Sequence, residues 1–344
     1  MSTNVRTAVV LMAGLALLIA GPVVAQKAAP AAPAGDALEI APLLTADVLG
    51  VVRVDVASID LDAAVKPLDA AAVKAGQAKV SADENFAEAK KHLATLKKSG
   101  GKVMYVLLDE SATGGDEPVM ALTLAPKANA AALAELFEAE LVKANKLGDA
   151  DDDKVAVEFK GMLLVGPKDA VVRATKAKPV ARPDIAKAMA ASNGAPITVA
   201  FVLPKAKRQE FTAMLPPELP EEIGGGSTAC LGKVEWVTIA VALPPKMALN
   251  FTINCENAAA AKELKGLIDS VMAAAEEMVG SLPPPISTVA ELLMSTLKGF
   301  NLQAKGTTVA GGLNDKQISD IFVKAWALYA EFGGGGGCDE DDDD

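Results

Sequence analysis

His92 is the single histidine of the 344-residue chain, so a catalytic triad would have to use it as the general base. It falls within the predicted helix 82–98, at the edge of the apolar stripe of that helix. The same helix has four lysines on its polar side. The stripe consists of Phe86, Ala89, Leu93 and Leu96. Ser227, in Gly225-Gly-Ser227-Thr-Ala229, lacks the final glycine of a nucleophile elbow, and no histidine follows it. We therefore interpret His92 as a solvated surface residue and predict no serine hydrolase site.

A calcium loop is another candidate site with a recognisable spacing. Asp149, Asp151 and Asp153 match positions 1, 3 and 5 of an EF-hand loop. However, Lys154 stands where that loop needs glycine, and Lys160 stands where it needs glutamate, so we interpret the segment as a solvated turn. One histidine and three cysteines also exclude a dedicated zinc-type site, and no phosphate-binding glycine motif occurs. The sequence predicts no catalytic residues, no metal ligands and no cofactor.

Cys230 and Cys255 are the two cysteines that a disulfide could join. They flank a predicted hairpin whose turn is Pro244-Pro245, and ideal strand pairing places Cys255 opposite Val234. A disulfide would therefore require the chain to bend towards Cys230. Two buried free thiols, packed as small apolar side chains, are the alternative. The third cysteine, Cys338, adjoins the acidic carboxyl terminus, where neighbouring carboxylates favour an unreactive free thiol.

The first 25 residues have the pattern of a secretory signal peptide. Arg6 precedes an uncharged run, 7–25, which ends in the small-residue cleavage pattern Val23-Val24-Ala25. Removal of 1–25 leaves a Pro/Ala-rich linker, 26–44, at the new amino terminus. An uncleaved anchor is the alternative, because the uncharged run approaches the length that spans a bilayer. We expect an exported protein, periplasmic or extracellular, with no transmembrane span after cleavage.

Two alanine-rich segments indicate that the body of the chain is duplicated. The segment Asn129-Ala-Ala-Ala-Leu-Ala-Glu-Leu136 recurs as Asn257-Ala-Ala-Ala-Ala-Lys-Glu-Leu264, and each asparagine is placed to cap the helix that it precedes. The first copy follows the strand-like run Val119–Leu124, and the second follows Met247–Ile253. Downstream of each copy, two short strands joined by a glycine turn lead into a helix.

The pattern predicts an α+β fold of two tandem β-α-β-β-α-β-β-α repeats, with antiparallel sheets and with helices packed on one face. We assign residues 45–192 to the first repeat and 193–332 to the second. We predict that the glycine run and acidic residues of 333–344 form a disordered tail. The repeats differ in their insertions. The first has a long helical stretch between Asp69 and Lys98, and the second has a short one around Val289–Lys298.

This layout resembles uncharacterised secreted bacterial proteins that are built from tandem α+β repeats. The resemblance depends on the leader, on the strand-to-helix transitions at Gly50–Asp62 and Ala195–Lys205, and on the paired Asn-Ala-Ala-Ala helices. It covers most of residues 45–332. It implies an exported protein of a class with no assigned reaction, so no functional residue is carried over.

The net charge and composition of the chain limit the classes of partner that it could bind. The net charge is −11, which disfavours nucleic acid and anionic membranes because their phosphates require clustered lysine and arginine. We expect a non-enzymatic protein that binds an unknown ligand or protein partner, or acts as an envelope scaffold, with the crevice between the repeats as its site. A carboxylate- or metal-dependent hydrolase acting on cell-envelope material is the alternative. A third hypothesis is that the acidic tail docks a basic partner. The sequence leaves the oligomeric state open.

Overall fold

A computed structural model describes residues 39–74, 76–110, 117–149, 153–284 and 286–333. The predicted signal peptide, most of the linker and the tail beyond residue 333, which contains Cys338, lie outside these residues. The centre of the aspartate-rich segment, 150–152, lies outside them as well. Among the described residues, no helix has the length and apolar character needed to cross a membrane.

The strands of the described residues form one open sheet in the order β10-β11-β9-β8-β7-β1-β2-β3-β6-β5-β4. Neighbouring strands are antiparallel, except that β4 and β5 are parallel. The strands are β1 Val48–Asp55, β2 Gly101–Asp109, β3 Val119–Leu124, β4 Glu140–Val142, β5 Lys154–Phe159, β6 Met162–Pro167, β7 Ile197–Val202, β8 Val234–Ala242, β9 Ala248–Cys255, β10 Gln303–Lys305 and β11 Thr308–Asn314.

Helices follow or separate these strands along the chain. They are α1 Leu61–Lys74, α2 Glu84–Lys98, α3 Ala130–Leu136, α4 Lys168–Lys176, α5 Pro183–Ala190, α6 Lys205–Met214, α7 Ala258–Val279, α8 Ile286–Gly299 and α9 Asp315–Gly333. Short 3-10 turns complete the connections, among them Val56–Ser58 after β1 and Thr228–Lys233 before β8.

Strands β1 and β7 meet at the centre of the sheet, with Gly50 opposite Phe201 and Val54 opposite Ile197. Outward from this pair the order is β1-β2-β3-β6-β5 on one side, where β4 adds an edge strand, and β7-β8-β9-β11-β10 on the other. The sequence predicted sheets in the plural, and the structure has one. The reason is that β1 and β7 satisfy each other's backbone hydrogen-bonding groups instead of leaving two exposed sheet edges.

Helices cover both faces of the sheet, so the prediction of helices on one face is wrong. Alternate residues of a strand point to opposite faces. Met104 and Leu122 belong to a core that they share with α1, α2, α3 and α9. Tyr105 and Ala121 belong to a second core, shared with α4 and α5. The physical reason is visible in β3, whose first five residues are all buried, because a strand covered on both sides must be apolar on both sides.

The two predicted helix caps are present. The side-chain oxygen of Asn129 accepts a hydrogen bond from the Ala132 N–H at 3.1 Å, and that of Asn257 accepts one from the Ala260 N–H at 2.9 Å. The helices that they begin differ in length, since α3 has 7 residues and α7 has 22. Leu141 lies in β4, beyond the end of the first of these helices. The chain turns before it at Glu138, whose φ of 53° is incompatible with a continuing α-helix.

The cap at Asn257 provides a test of the local structure. Asn257→Ala removes the acceptor of the Ala260 N–H, so it should lower the free energy of unfolding by about 1 kcal/mol. Asn257→Asp keeps a carboxyl oxygen in the same place and should change this free energy little. Urea unfolding at neutral pH measures both variants. An equal loss in the two would contradict the capping role.

Candidate functional site

Helix α1 is positioned by the turn that follows β1. The Asp55 carboxylate accepts hydrogen bonds from the Ala57 N–H at 3.1 Å and the Ser58 N–H at 3.3 Å, which hold the 3-10 turn at the end of the strand. The chain then reverses onto the sheet. The buried side of α1 carries Ala64, Val65, Leu68, Ala71 and Ala72.

Helix α2 is attached to α1 and to the connection after β1 at its two ends and, between them, by one exposed ion pair. Near its start, Asp69 of α1 accepts a hydrogen bond from the Ser81 hydroxyl at 2.6 Å. At its end, Lys97 Nζ donates to the Ile59 carbonyl at 2.6 Å, and between these points Lys90 Nζ lies 2.6 Å from the Asp62 carboxylate. Leu96 is the one residue of α2 that is fully buried. The middle of α2 therefore stands away from the sheet.

An apolar cavity of about 410 Å³ fills the space beneath α2. Its floor includes Val54 of β1 and Ile197 of β7, which are partners in the central strand pair. Leu68 of α1 lies on one side, and Leu243, just after β8, also lines the cavity. The stripe predicted from the sequence, Phe86, Ala89, Leu93 and Leu96, forms the roof.

Three polar residues line the cavity, and all belong to α2 or its cap. Asp83 is exposed, and its Oδ1 accepts hydrogen bonds from the Asn85 N–H at 2.7 Å and the Asn85 side-chain amide at 2.9 Å. The His92 side chain is 30% exposed, and its Nε2 lies 3.7 Å from Glu88 Oε1. The sequence placed His92 on the solvated surface, whereas the structure places it half-buried in the wall of the cavity.

The described residues contain no group of three or more His, Cys, Asp or Glu side chains that could hold a metal ion. Ser227 follows three glycines with positive φ angles, and its hydroxyl oxygen accepts a hydrogen bond from the Ala229 N–H at 3.3 Å. This geometry is that of a loop leading into a 3-10 helix. Trp236 is 8% exposed and belongs to a hydrophobic core.

Cys230 and Cys255 are buried free thiols in the structure. Cys255 pairs with Val234, which is the predicted register, and the 3-10 helix Thr228–Lys233 holds Cys230 before the strand begins. The disulfide that the sequence allowed is not formed, and a bulge between Val234 and Trp236 shifts the strand register so that Val234 lies opposite Cys255. Burial is the main cause that raises the pKa of Cys255 to about 11, and burial also raises the pKa of Cys230.

The comparisons with known proteins found no match to a family model, a curated protein or a solved structure. The candidate site is therefore defined by its geometry alone. The sequence indicates the apolar stripe of α2 but not the cavity, because helical periodicity shows which face is apolar and not how closely that face packs.

The state of the two thiols can be measured directly. Iodoacetamide should leave Cys230 and Cys255 unmodified in the folded protein, because both are buried and their raised pKa values keep the thiolate scarce. Both should react in urea without any reductant, as peptide mass spectrometry would show. Reaction in urea only after a reductant is added would mean that the two are bonded.

Proposed function

We propose that this is an exported, non-enzymatic protein that binds a small apolar ligand in the cavity between α1, α2 and the centre of the sheet. The observation that carries the proposal is the cavity itself. Its volume of about 410 Å³ falls in the range of small-molecule sites, and its lining is apolar apart from three residues.

The lining favours an apolar ligand on physical grounds. Side chains that face a void lose the dispersion contacts that a filled core would provide. An apolar ligand restores these contacts and displaces no tightly bound water. Asp83 is the one carboxylate that lines the cavity, and it is exposed to solvent. Polar recognition is thus restricted to the side of the cavity that α2 and its cap form.

The position of the cavity agrees with the crevice expected between two repeats. We propose that residues 45–192 and 193–332 are a tandem duplication. The equivalent strand orders on the two sides of the β1–β7 pair support this. The first segment supplies most of the lining, and Ile197 and Leu243 come from the second. The first segment supplies most of the lining because α2 belongs to the helical insertion that the sequence predicts in the first repeat.

The hydrolase alternative gains no support from this site. Acid–base chemistry needs titratable groups placed within reach of one reacting bond. The carboxylate that lines the cavity, Asp83, accepts the helix-capping hydrogen bonds, and it is separated from His92 by about 13 Å of helix. A role as an envelope scaffold would use an outer surface, and it is compatible with ligand binding in the cavity.

Ligand binding is tested by a substitution on α2 that fills part of the cavity with a larger side chain. Ala89→Leu places a larger side chain in the cavity, so it should weaken binding of the neutral fluorescent probe N-phenyl-1-naphthylamine by about tenfold or more. Ala87→Leu is the matched control, because Ala87 lies on the exposed side of the same helix. Fluorescence titration gives both dissociation constants. No saturable binding to the unmodified protein, or equal effects of the two substitutions, would refute the proposal.

Export is tested on the protein produced in a bacterial host. If the leader is recognised and removed after Ala25, amino-terminal sequencing of the product should begin at Gln26. Replacing Ala25 by Arg, which does not fit the small-residue pattern, should leave the leader attached and retain the protein at the membrane. A product that keeps Met1 and stays in the cytosol would contradict export.

A further inference from the structure

A second cavity, of about 480 Å³, lies between α7, α8 and the strands β9 and β10. It is open because α8 packs loosely, and no residue of this helix is buried. The described residues that line it all belong to 193–332, so it is separate from the cavity beneath α2. Its lining combines apolar side chains with charged and amide groups. The second cavity therefore suits a ligand that is itself partly apolar and partly polar.

Two phenylalanine rings supply the aromatic part of this lining. Phe251 of β9 and Phe300, just after α8, meet edge to face with their ring centroids 6.3 Å apart. The Gly312 N–H donates a hydrogen bond to the Phe300 carbonyl at 3.0 Å, which holds Phe300 against β11. Both rings are half-buried, so part of each remains accessible from the cavity. Met272 of α7 also lines it, with a flexible and polarizable side chain that adapts to aromatic groups.

Two pairs of opposite charges line the second cavity as well. Lys265 Nζ lies 2.5 Å from the carboxylate of Asp269, one turn further along α7. Lys298 of α8 forms an ion pair with Glu276 of α7 and so connects the two helices. The Lys265 side chain is 23% exposed, whereas the side chain of its partner Asp269 is 61% exposed. Lys265 is also the least exposed of the four charged side chains.

The unequal exposure of Lys265 and Asp269 favours a ligand of negative charge. An anionic group that replaces Asp269 beside the Lys265 ammonium releases a carboxylate that is already well solvated. Little is lost in this exchange, because an exposed ion pair contributes little to stability. A cationic group that replaced Lys265 would instead leave the more enclosed ammonium without its partner. That outcome is the costlier one, since a partly buried charge needs compensation.

We propose that the second cavity binds a small organic anion that has a flat aromatic body and one carboxylate or sulfonate group. The aromatic body contacts Phe251, Phe300 and Met272, and burial of its surface supplies most of the binding free energy. The anionic group accepts a charge-assisted hydrogen bond from Lys265 Nζ, which orients the ligand. This ligand class differs from the neutral one proposed for the cavity beneath α2, whose described lining contains no lysine.

Two fluorescent probes with the same aromatic body test the proposal. The probe 8-anilinonaphthalene-1-sulfonate is N-phenyl-1-naphthylamine with one added sulfonate group. The purified protein should bind it saturably, and Lys265→Gln should raise its dissociation constant roughly tenfold, because a charge-assisted hydrogen bond is lost. The dissociation constant of the neutral probe should not change. Lys262→Gln is the matched control, since it removes the same charge from an exposed position of α7 outside the cavity, and it should bind the sulfonate probe normally.

Several outcomes of this titration overturn the proposal. One is that the unmodified protein shows no saturable binding of the sulfonate probe. Another is that Lys265→Gln and Lys262→Gln weaken its binding equally, or that Lys265→Gln weakens binding of the neutral probe to the same extent. A third is that Ala89→Leu abolishes binding of the sulfonate probe, which would place this probe beneath α2.

A steric substitution keeps the test valid if the loss of Lys265 disturbs folding. Ala273→Leu places a larger side chain in the second cavity without a change of charge, so it should weaken binding of the sulfonate probe by about tenfold. Ala259→Leu is its matched control, because Ala259 is exposed near the start of α7 and lies outside the cavity. Equal dissociation constants for these two variants would also overturn the proposal.

Discussion

The antiparallel pairing of β1 with β7 is the contact on which the rest of the structure depends. It joins strands that are more than 140 residues apart and makes one sheet from the two segments. Arg53, on β1, reinforces the junction because its guanidinium donates to the Ala195 carbonyl at 3.1 Å. The pair Val54–Ile197 is at once the end of this ladder and the floor of the cavity. The candidate site therefore exists only when the two segments are paired.

The cavity arises from how α2 is attached. Its ends are tied to α1 and to the connection after β1, while its centre has no bond to the sheet. Polar contacts at the two ends of α2 set its distance from the sheet. The apolar side chains between these contacts are too short to fill the space between the helix and the sheet. A helix placed in this way leaves an apolar volume of useful size beneath it without costing the chain any unsatisfied backbone group.

The long helical stretch that the sequence indicates between Asp69 and Lys98 contains α2, which forms the roof of the proposed binding cavity. Both segments supply strands to the sheet and residues to the cores, where close packing leaves little room for a ligand. Residues at the periphery of the sheet are less constrained by packing, so a cavity can form there under a helix.

Features that depend on neighbouring residues were determined by the sequence itself. The strand β3 falls on the strand-like run Val119–Leu124 that the sequence predicts, both asparagine caps are formed, and Cys255 pairs with Val234. Only the tertiary structure decided that β1 pairs with β7, that helices cover both faces, that β4 extends the edge and that His92 lines a cavity. The reason is physical: a cap or a strand period is specified within one segment, whereas the choice of partner strand and the space left under a helix depend on residues far apart in the chain.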